Sequence, residues 1–467
     1  MRPTTQDEPP EGSGSSAETT LPRSEPHTST AILAPAPEEH HLLESEYEQQ
    51  SVPMHARRSL GSVSLVWLGF PMIITGAITG ALIVAGLGFQ QGILAIALGN
   101  LALFLYVGAL SALGAKSGFN FALLARTTFG ARGYVIASGL LATLVVGWFT
   151  VQTGLTAVSL NTAFGWNLTA MTLVAGLVYL AITLVGIKAL SWIGAVSAPL
   201  FLAFGVYAVA VALNDSSVST ILNYPGKGGA SALPLGVAVA IVVALFIDGG
   251  TMTPDFTRWA KSPKHAWIAT FAAFPFANGV AMLFGGIVAA SAASNPDFFG
   301  LVAEKGGVVS VLAVVFLFLN LGSVCSHCLY NASVGWAHIV NRSFRAVAVG
   351  WGIVGTLIAA TGVWGQFINW LILLGVVVPP IGAVILADHL LHGRRRAGRD
   401  PFDLTGLPNY RATPLIAWAV GAACALWSHY QAPQLSVVLV GFVVTFVAYD
   451  VLERLMPTSQ TEPSLTQ

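Results

Sequence analysis

Apolar runs about 20 residues long, separated by short polar interruptions, fill most of this chain from residue 61 onward. A run of that length crosses the hydrocarbon core of a bilayer as a helix. They fall at 61–86, 91–115, 131–162, 168–187, 189–213, 232–254, 265–293, 308–337, 346–363, 366–391, 413–429 and 434–455. The basic residues test the count, because cytoplasmic loops collect Lys and Arg. With an even number of crossings and the N-terminus inside, the inner loops hold Lys116, Arg126, Arg132, Lys188, Arg258, Lys261, Lys264, Arg342, Arg345, Arg394, Arg395, Arg396, Arg399 and Arg411. The outer loops hold only Lys227 and Lys305. The pattern predicts twelve transmembrane helices in the cytoplasmic membrane, with both termini cytoplasmic.

Composition agrees with a lipid-embedded chain and removes one class of function. Hydrophobic residues make up 55% of the 467 and charged ones 9%, against roughly 25% charged in soluble domains. The formal net charge is zero, so there is no basic surplus with which to neutralise phosphates, and nucleic acid is excluded as a partner. Cys325, Cys328 and Cys424 lie in apolar segments without metal-ligand spacing and read as packing residues. Residues 1–56 are rich in Pro, Ser, Thr and Glu and predict a disordered cytoplasmic tail with no signal-peptide h-region. A second short tail of that kind covers 456–467, leaving 57–455 as the membrane domain.

Function is sought where the lipid rules are broken. The first span contains GFPMIITGAITGA (Gly69 to Ala81) and the sixth FIDGGTMTP (Phe246 to Pro254). Glycine pairs and proline free backbone groups that need a neighbour, a cavity or a ligand. Interrupted helices in corresponding positions of two halves point to a transporter that binds its substrate beside the breaks. Asp248 sits at depth in the second of these, where a carboxylate is costly and marks a site or pathway; His327 is the one other ionisable side chain at comparable depth that could pair with it. In the third span Trp148 and Gln152 are four residues apart and share a helix face. An indole beside a primary amide suits a flat heteroaromatic ring, by stacking plus edge hydrogen bonds, with Phe246 closing the other side. His327 itself reads as a neutral, hydrogen-bonded helix residue, and Asp255 with Arg258 as a structural pair at the inner end of span six.

Several ordered stretches then become familiar: GAKSGFNFALLARTTFGARG (Gly114 to Gly133), VGWF (Val146 to Phe149), FIDGGTMTPDFTRWAKSPKHA (Phe246 to Ala266), LNLGSVCSHCLYNAS (Leu319 to Ser333) and NWLILLGVVVPPIGAVILADHLL (Asn369 to Leu391). In these motifs and their order the chain resembles the nucleobase:cation symporter family, which includes cytosine, purine-cytosine and hydantoin transporters. The resemblance spans about Arg57 to Arg454. It implies an all-α integral membrane fold of the leucine-transporter type, five helices repeated in inverted topology plus two more, working by alternating access. It also implies that Trp148 and Phe246 sandwich a nucleobase, that Gln152 hydrogen-bonds it as in the hydantoin branch, and that Cys325 takes a substrate-contacting position held by asparagine in several members. Val145 replaces a polar residue, and Asp248 stands where cytosine transporters carry a small hydroxyl residue.

For the coupling ion the resemblance implies a sodium site of backbone carbonyls near Gly69 to Ile73 and at Asn320, completed by two adjacent hydroxyls. Here those two positions read Ser323 and Val324. Ser323 offers one oxygen to Na+ and valine none, so a proton carried by Asp248 stands as an equal candidate. No cofactor is expected, and no paired acids, metal cluster or nucleophile with its base argue for an enzyme. The expectation is an importer of a nucleobase, cytosine foremost or a purine, coupled to Na+ or H+. An allantoin-like, hydantoin or thiamine-precursor ring is the alternative substrate, and an uncoupled facilitator or a receptor the alternative class.

Overall fold

Short polar residues start the helices and glycines stop them. Ser59, Asn120, Asn167 and Ser343 each accept, through the side chain, the backbone N–H three residues on, satisfying one of the amides a helix start leaves orphaned. Gly118 and Gly165 end two long helices in the left-handed conformation, with φ of 74° and 69°, which glycine adopts without steric cost. The computed structural model describes residues 46–229, 232–291, 299, 303, 306–393, 400–432 and 434–456. Residues 1–45 and 457–467 of the expected tails, and Lys305, Arg394, Arg395, Arg396 and Arg399 of the charge pattern, lie outside the described residues.

Among the described residues the chain is helical, apart from one isolated bridge between Arg58 and Ala260. In chain order the helices are α1 (Leu60–Gly69), α2 (Ile74–Leu87), α3 (Phe89–Ser117), α4 (Phe121–Phe129), α5 (Tyr134–Phe164), α6 (Leu168–Leu184), α7 (Ile187–Asp215), α8 (Val218–Leu222), α9 (Leu235–Ala244), α10 (Ile247–Thr251), α11 (Pro254–Thr257), α12 (Pro263–Phe271), α13 (Gly279–Ala290), α14 (Gly307–Val340), α15 (Phe344–Ala360), α16 (Phe367–Ala387), α17 (Ala412–Gln431) and α18 (Val437–Leu455). Wider π-helical turns join α12 to α13, around Pro275, and continue α16 over Asp388–His392. Each of the twelve apolar runs falls on one of these helices or on a consecutive set. Among the described residues six helical stretches are long and apolar enough to cross a membrane, counting α12 with α13, and α16 with its π-helical continuation, as one each, and α1 with α2, bent by 57°, makes a seventh. The remaining runs are shorter, more polar or broken.

The outward faces are apolar. Leu94, Leu98, Leu101 and Leu105, one stripe of α3, are 42 to 50% and, for Leu105, 55% exposed, as expected of a surface that meets lipid. The core gathers around the two interrupted spans: Trp67 of α1 meets Phe70, Phe256 and Phe274 edge-on at 5.2–5.5 Å. Where α1 crosses α7, Gly69 and Gly194 touch backbone to backbone; a Cβ on Gly69 would lie 2.3 Å from Gly194 Cα.

The disorder expected over 1–56 does not hold for residues 46–56. From Glu46 the chain forms a strap across one end of the bundle. Val52 N–H donates to Gly118 O at 2.9 Å, Asn120 Nδ2 donates to Glu48 O at 2.8 Å, and Phe344 N–H donates to Glu48 Oε1 at 3.0 Å. Glu46, 4% exposed, accepts from Ile187 N–H at 3.0 Å and from the Tyr330 hydroxyl at 2.7 Å. Arg258 directs its guanidinium to the strap carbonyls of Glu46 and Tyr47 and to the Asp255 backbone. The expected Asp255–Arg258 pair is made through the Asp255 main-chain carbonyl, to which Arg258 Nε donates, and through the attraction of the two charges, while the Asp255 carboxylate accepts the Phe121 N–H that opens α4, at 2.8 Å. Asp388 is held by Arg411 at 3.1 Å and by the Tyr449 hydroxyl at 2.6 Å.

Candidate functional site

The first interrupted span breaks at a proline, and the groups freed there are taken up by α14. Pro71 supplies no N–H, and Ile73 is extended, at φ −132° and ψ 158°, before α2 begins. Asn320 bridges the gap: its Nδ2 donates to Met72 O and its Oδ1 accepts from Ile74 N–H, both at 2.9 Å. Ser323 Oγ donates to Gly69 O at 2.6 Å. His327 places Nδ1 2.6 Å from Ser323 O and Nε2 2.8 Å from Val66 O. It thus ties α14 to α1 and does not pair with Asp248, the partner its depth suggested. Gly69, Ile73, Asn320 and Ser323 are all buried at this one break, whereas Val324 presents only carbon.

In the other broken span, α9 ends at Ala244, Phe246 leaves helical geometry at φ −132° and ψ 13°, and α10 begins with Asp248 in its first turn. Pro254 then opens α11. Gly249 has no room for a side chain, since a Cβ there would lie 2.6 Å from the Phe70 ring. The break thus lets Phe70 close over α10.

Phe70, Ile73, Trp148, Gln152, Leu245, Phe246, Asp248, Val324 and Cys328 line a cavity of about 10 Å³. The space is narrow, little of it wide enough for a water, so a planar ring enters only as these side chains spread. Small-molecule pockets in general run to ~300 Å³ or more, and the site is contracted here. Two of its polar atoms are left waiting. Gln152, 1% exposed, has its Oε1 fixed by the Thr75 hydroxyl at 2.9 Å, which turns its Nε2 away without a hydrogen-bond partner. Asp248 Oδ1 accepts from Gly249 N–H at 2.8 Å, the Trp148 indole interacts with the carboxylate, and Oδ2 has no partner of standard geometry. Buried polar atoms are nearly always paired. Two open ones on a single cavity, a donor and an acceptor, mark a place for a ligand with a polar edge.

Of the residues expected from sequence, Trp148, Gln152, Phe246 and Asp248 line this cavity. Cys325 does not: its Sγ points to Phe149 O and Thr153, each at 3.8 Å. Its place is taken by Val324 and Cys328, four apart on the neighbouring face of α14. Phe70, Leu245, Val324 and Cys328 were not anticipated as wall residues. The one signal for Phe70 was its place inside the break itself. Among the described residues no group of three or more His, Cys, Asp or Glu side chains could hold a metal ion.

The family described as permeases for cytosine/purines, uracil, thiamine and allantoin matches residues 52–451. The cytosine permease of Escherichia coli K12 is 31% identical over 418 residues, covering 90% of this chain and 97% of that protein. The hydantoin permease of Microbacterium maritypicum is 29% identical over 415 residues, 82% and 83% of the two chains. Among solved structures, a nucleobase-cation-symport-1 family transporter in a closed conformation with bromovinylhydantoin bound superposes with a TM-score of 0.72 at 22% identity, covering 89% of this chain and 97% of that one. A Na+-coupled sialic acid symporter in a substrate-bound outward-open state gives 0.66 at 14% identity, covering 90% and 93%. The leucine-transporter-type architecture expected from the sequence is the fold that these likenesses share.

Proposed function

Because the chain belongs to the family of permeases for cytosine/purines, uracil, thiamine and allantoin, we propose that this membrane transporter imports a nucleobase, cytosine foremost or a purine, by cation-coupled alternating access. The observation that carries the reading is the contracted cavity, where Trp148 and Phe246 flank an unpartnered amide donor and a buried carboxylate whose Oδ2 lacks a hydrogen bond of standard geometry. A flat ring with N–H and C=O groups meets all four. Each span is interrupted beside the cavity, so its halves can move separately while the ring stays in place. Gln152 supports a second reading in which the ring is a hydantoin or allantoin, the compounds for which two relatives are named.

The coupling cation is Na+ or H+. Sodium would be held by the Ser323 hydroxyl with the carbonyls of Gly69, Ile73 and Asn320, a hard-oxygen set. Val324 weighs against it by supplying no oxygen, and the open Oδ2 of Asp248 favours the proton. The protein acts in the cytoplasmic membrane with both termini inside, the arrangement the Lys and Arg distribution supports. Uptake of radiolabelled cytosine into sealed vesicles, under an imposed sodium gradient or an imposed proton gradient, tests both parts. Uptake driven by the proton gradient alone assigns coupling to Asp248. Uptake driven by sodium alone assigns it to the break at Ser323. No uptake of cytosine, adenine, guanine or hydantoin under either gradient sinks the substrate reading.

A further inference from the structure

We propose that Asn331 and Ser138 form a second, inner station for the transported ring, on the cytoplasmic side of the cavity, which takes any ring edge that carries an N–H beside an acceptor. This rests on the heterocycle reading above, orientation included, and extends it along the route inward. Asn331 lies on α14 three residues after Cys328, which lines the cavity, and four before Gly335, so the three share one helix face. A Cβ on Gly335 would lie 3.0 Å from Ala142 Cβ and 3.7 Å from Ser138 Oγ, both on α5, and 3.6 Å from Met252 Cε at the end of α10. Each of these walls starts at the cavity. Met252 is one turn on from Asp248, and Ser138 lies about three turns back from Trp148. Three residues beyond Gly335, His338 places Nδ1 3.0 Å from Glu48 O of the strap, and its ring meets Tyr134 edge-on at 5.4 Å. The seam between α14, α5 and α10 thus runs from the cavity to the strap.

Polar atoms are stranded along it. Asn331 is fully buried, and among the described residues it is the one buried side-chain amide with neither its Nδ2 nor its Oδ1 paired. The fully buried Ser138 hydroxyl has no partner either. Other helix hydroxyls turn back on their own main chain, as Thr143 does to Gly139 O at 2.7 Å and Ser333 to Leu329 O at 2.6 Å. Leaving such groups dry is costly, and leucine, close to asparagine in size, would fill the seam without that cost. The cost is recovered where the seam is open, when α10 and α11, parted from α9 by the break at Phe246, stand away from α14. Asn331 then presents a donor and an acceptor side by side, the complement of a cis-amide or amidine edge. Cytosine, uracil, guanine and hydantoin offer an N–H beside a C=O, and adenine an amine N–H beside a bare ring nitrogen. Gln152 in the cavity offers only its donor, since Thr75 holds its Oε1. The inner pair therefore recognises the edge common to these rings, which suits a place that each one passes through.

The test is exchange of radiolabelled cytosine, adenine or hydantoin, with equal Na+ and pH on both sides, in right-side-out and inside-out membrane vesicles carrying the full-length protein. Wild type, Asn331→Leu and Ser138→Ala are compared; both changes replace a stranded polar group by carbon, so the fold is kept. In inside-out vesicles the half-saturating concentration should rise about tenfold or more in Asn331→Leu and about threefold in Ser138→Ala. In right-side-out vesicles it should stay within about threefold of wild type. A packing role alone would raise the melting temperature of Asn331→Leu and alter the maximal rate with both half-saturating concentrations unmoved, and that pattern overturns the station. So does a rise of equal size on both faces, or one confined to the outer face. Wild-type vesicles that exchange none of the three rings overturn the heterocycle reading itself, and this inference with it.

Discussion

Removing the Glu46 carboxylate should release the strap by about two orders of magnitude. The carboxylate accepts from the Ile187 amide and the Tyr330 hydroxyl, and Glu46→Ala leaves both donors buried without it. At about 1.5 kcal/mol for each hydrogen bond to a charged group, the loss is about 3 kcal/mol, or ~100-fold in the equilibrium for strap opening at about 1.4 kcal/mol per factor of ten. Val52 reports that equilibrium: it is 1% exposed and its N–H is held by Gly118. Maleimide labelling of Val52→Cys in detergent, normalised to Met54→Cys, which starts 60% exposed, should accelerate by that factor when Glu46→Ala is added. Glu46→Gln should accelerate it less than tenfold, because a tyrosine hydroxyl can accept from the amide N–H in place of donating. Burial pushes the Glu46 carboxyl above its ordinary value of 4.5, against the pull of Tyr330, the Ile187 amide and Arg258. An acid whose value is raised on folding contributes fully below that ordinary value and loses the contribution as pH rises through the raised one. Normalised labelling of Val52→Cys should thus speed up from pH 4.5 upward, and Glu46→Gln should flatten the profile. Equal labelling rates with and without the Glu46→Ala change would refute the reasoning.

Three further outcomes follow from the same kind of accounting. Asn320→Ala, by stranding Met72 O and Ile74 N–H at the break, should cost about 2–4 kcal/mol, seen as a lower thermal midpoint in detergent and weaker ring binding together; an unchanged midpoint refutes it. Arg411→Ala leaves Asp388 buried without its cation and should cost about 3–5 kcal/mol, while Arg411→Ala combined with Asp388→Asn recovers part of the loss in the same melting assay. If Asp248 carries the coupled proton, Asp248→Asn should abolish accumulation of substrate under a proton gradient yet retain exchange of internal for external substrate; full accumulation by the variant removes the proton from that residue.

The sequence made most of the helices readable because lipid imposes one rule on every residue of a span, and the two interruptions stood out because they broke it. Trp148, Gln152, Phe246 and Asp248 were readable for the same reason: each is a polar or broad aromatic group in an apolar context, and each reaches the same cavity. Facing direction was less legible. Cys325 and Cys328 are three residues apart on one helix, and only the packing of α14 against α1 and α5 decides that Val324 and Cys328 turn to the cavity while Cys325 turns to Phe149. The strap was hidden altogether. Its residues are polar and locally unremarkable, and the groups that hold Glu46 lie 141 and 284 positions away along the chain. His327 was readable as a hydrogen-bonded helix residue, but its partners were hidden, since both are main-chain carbonyls, which leave no trace in residue type.

The crossing of α1 and α7 is a plain bearing. Side chains that interdigitate must leave their rotamers and unmesh before two helices can turn against each other, whereas at Gly69 and Gly194 there is nothing to unmesh: main chain lies on main chain. At the two glycines the seam therefore resists load perpendicular to itself and little along it, and what resists sliding between these helices lies elsewhere on the seam, where the Ser62 and Ser191 hydroxyls stand 3.3 Å apart.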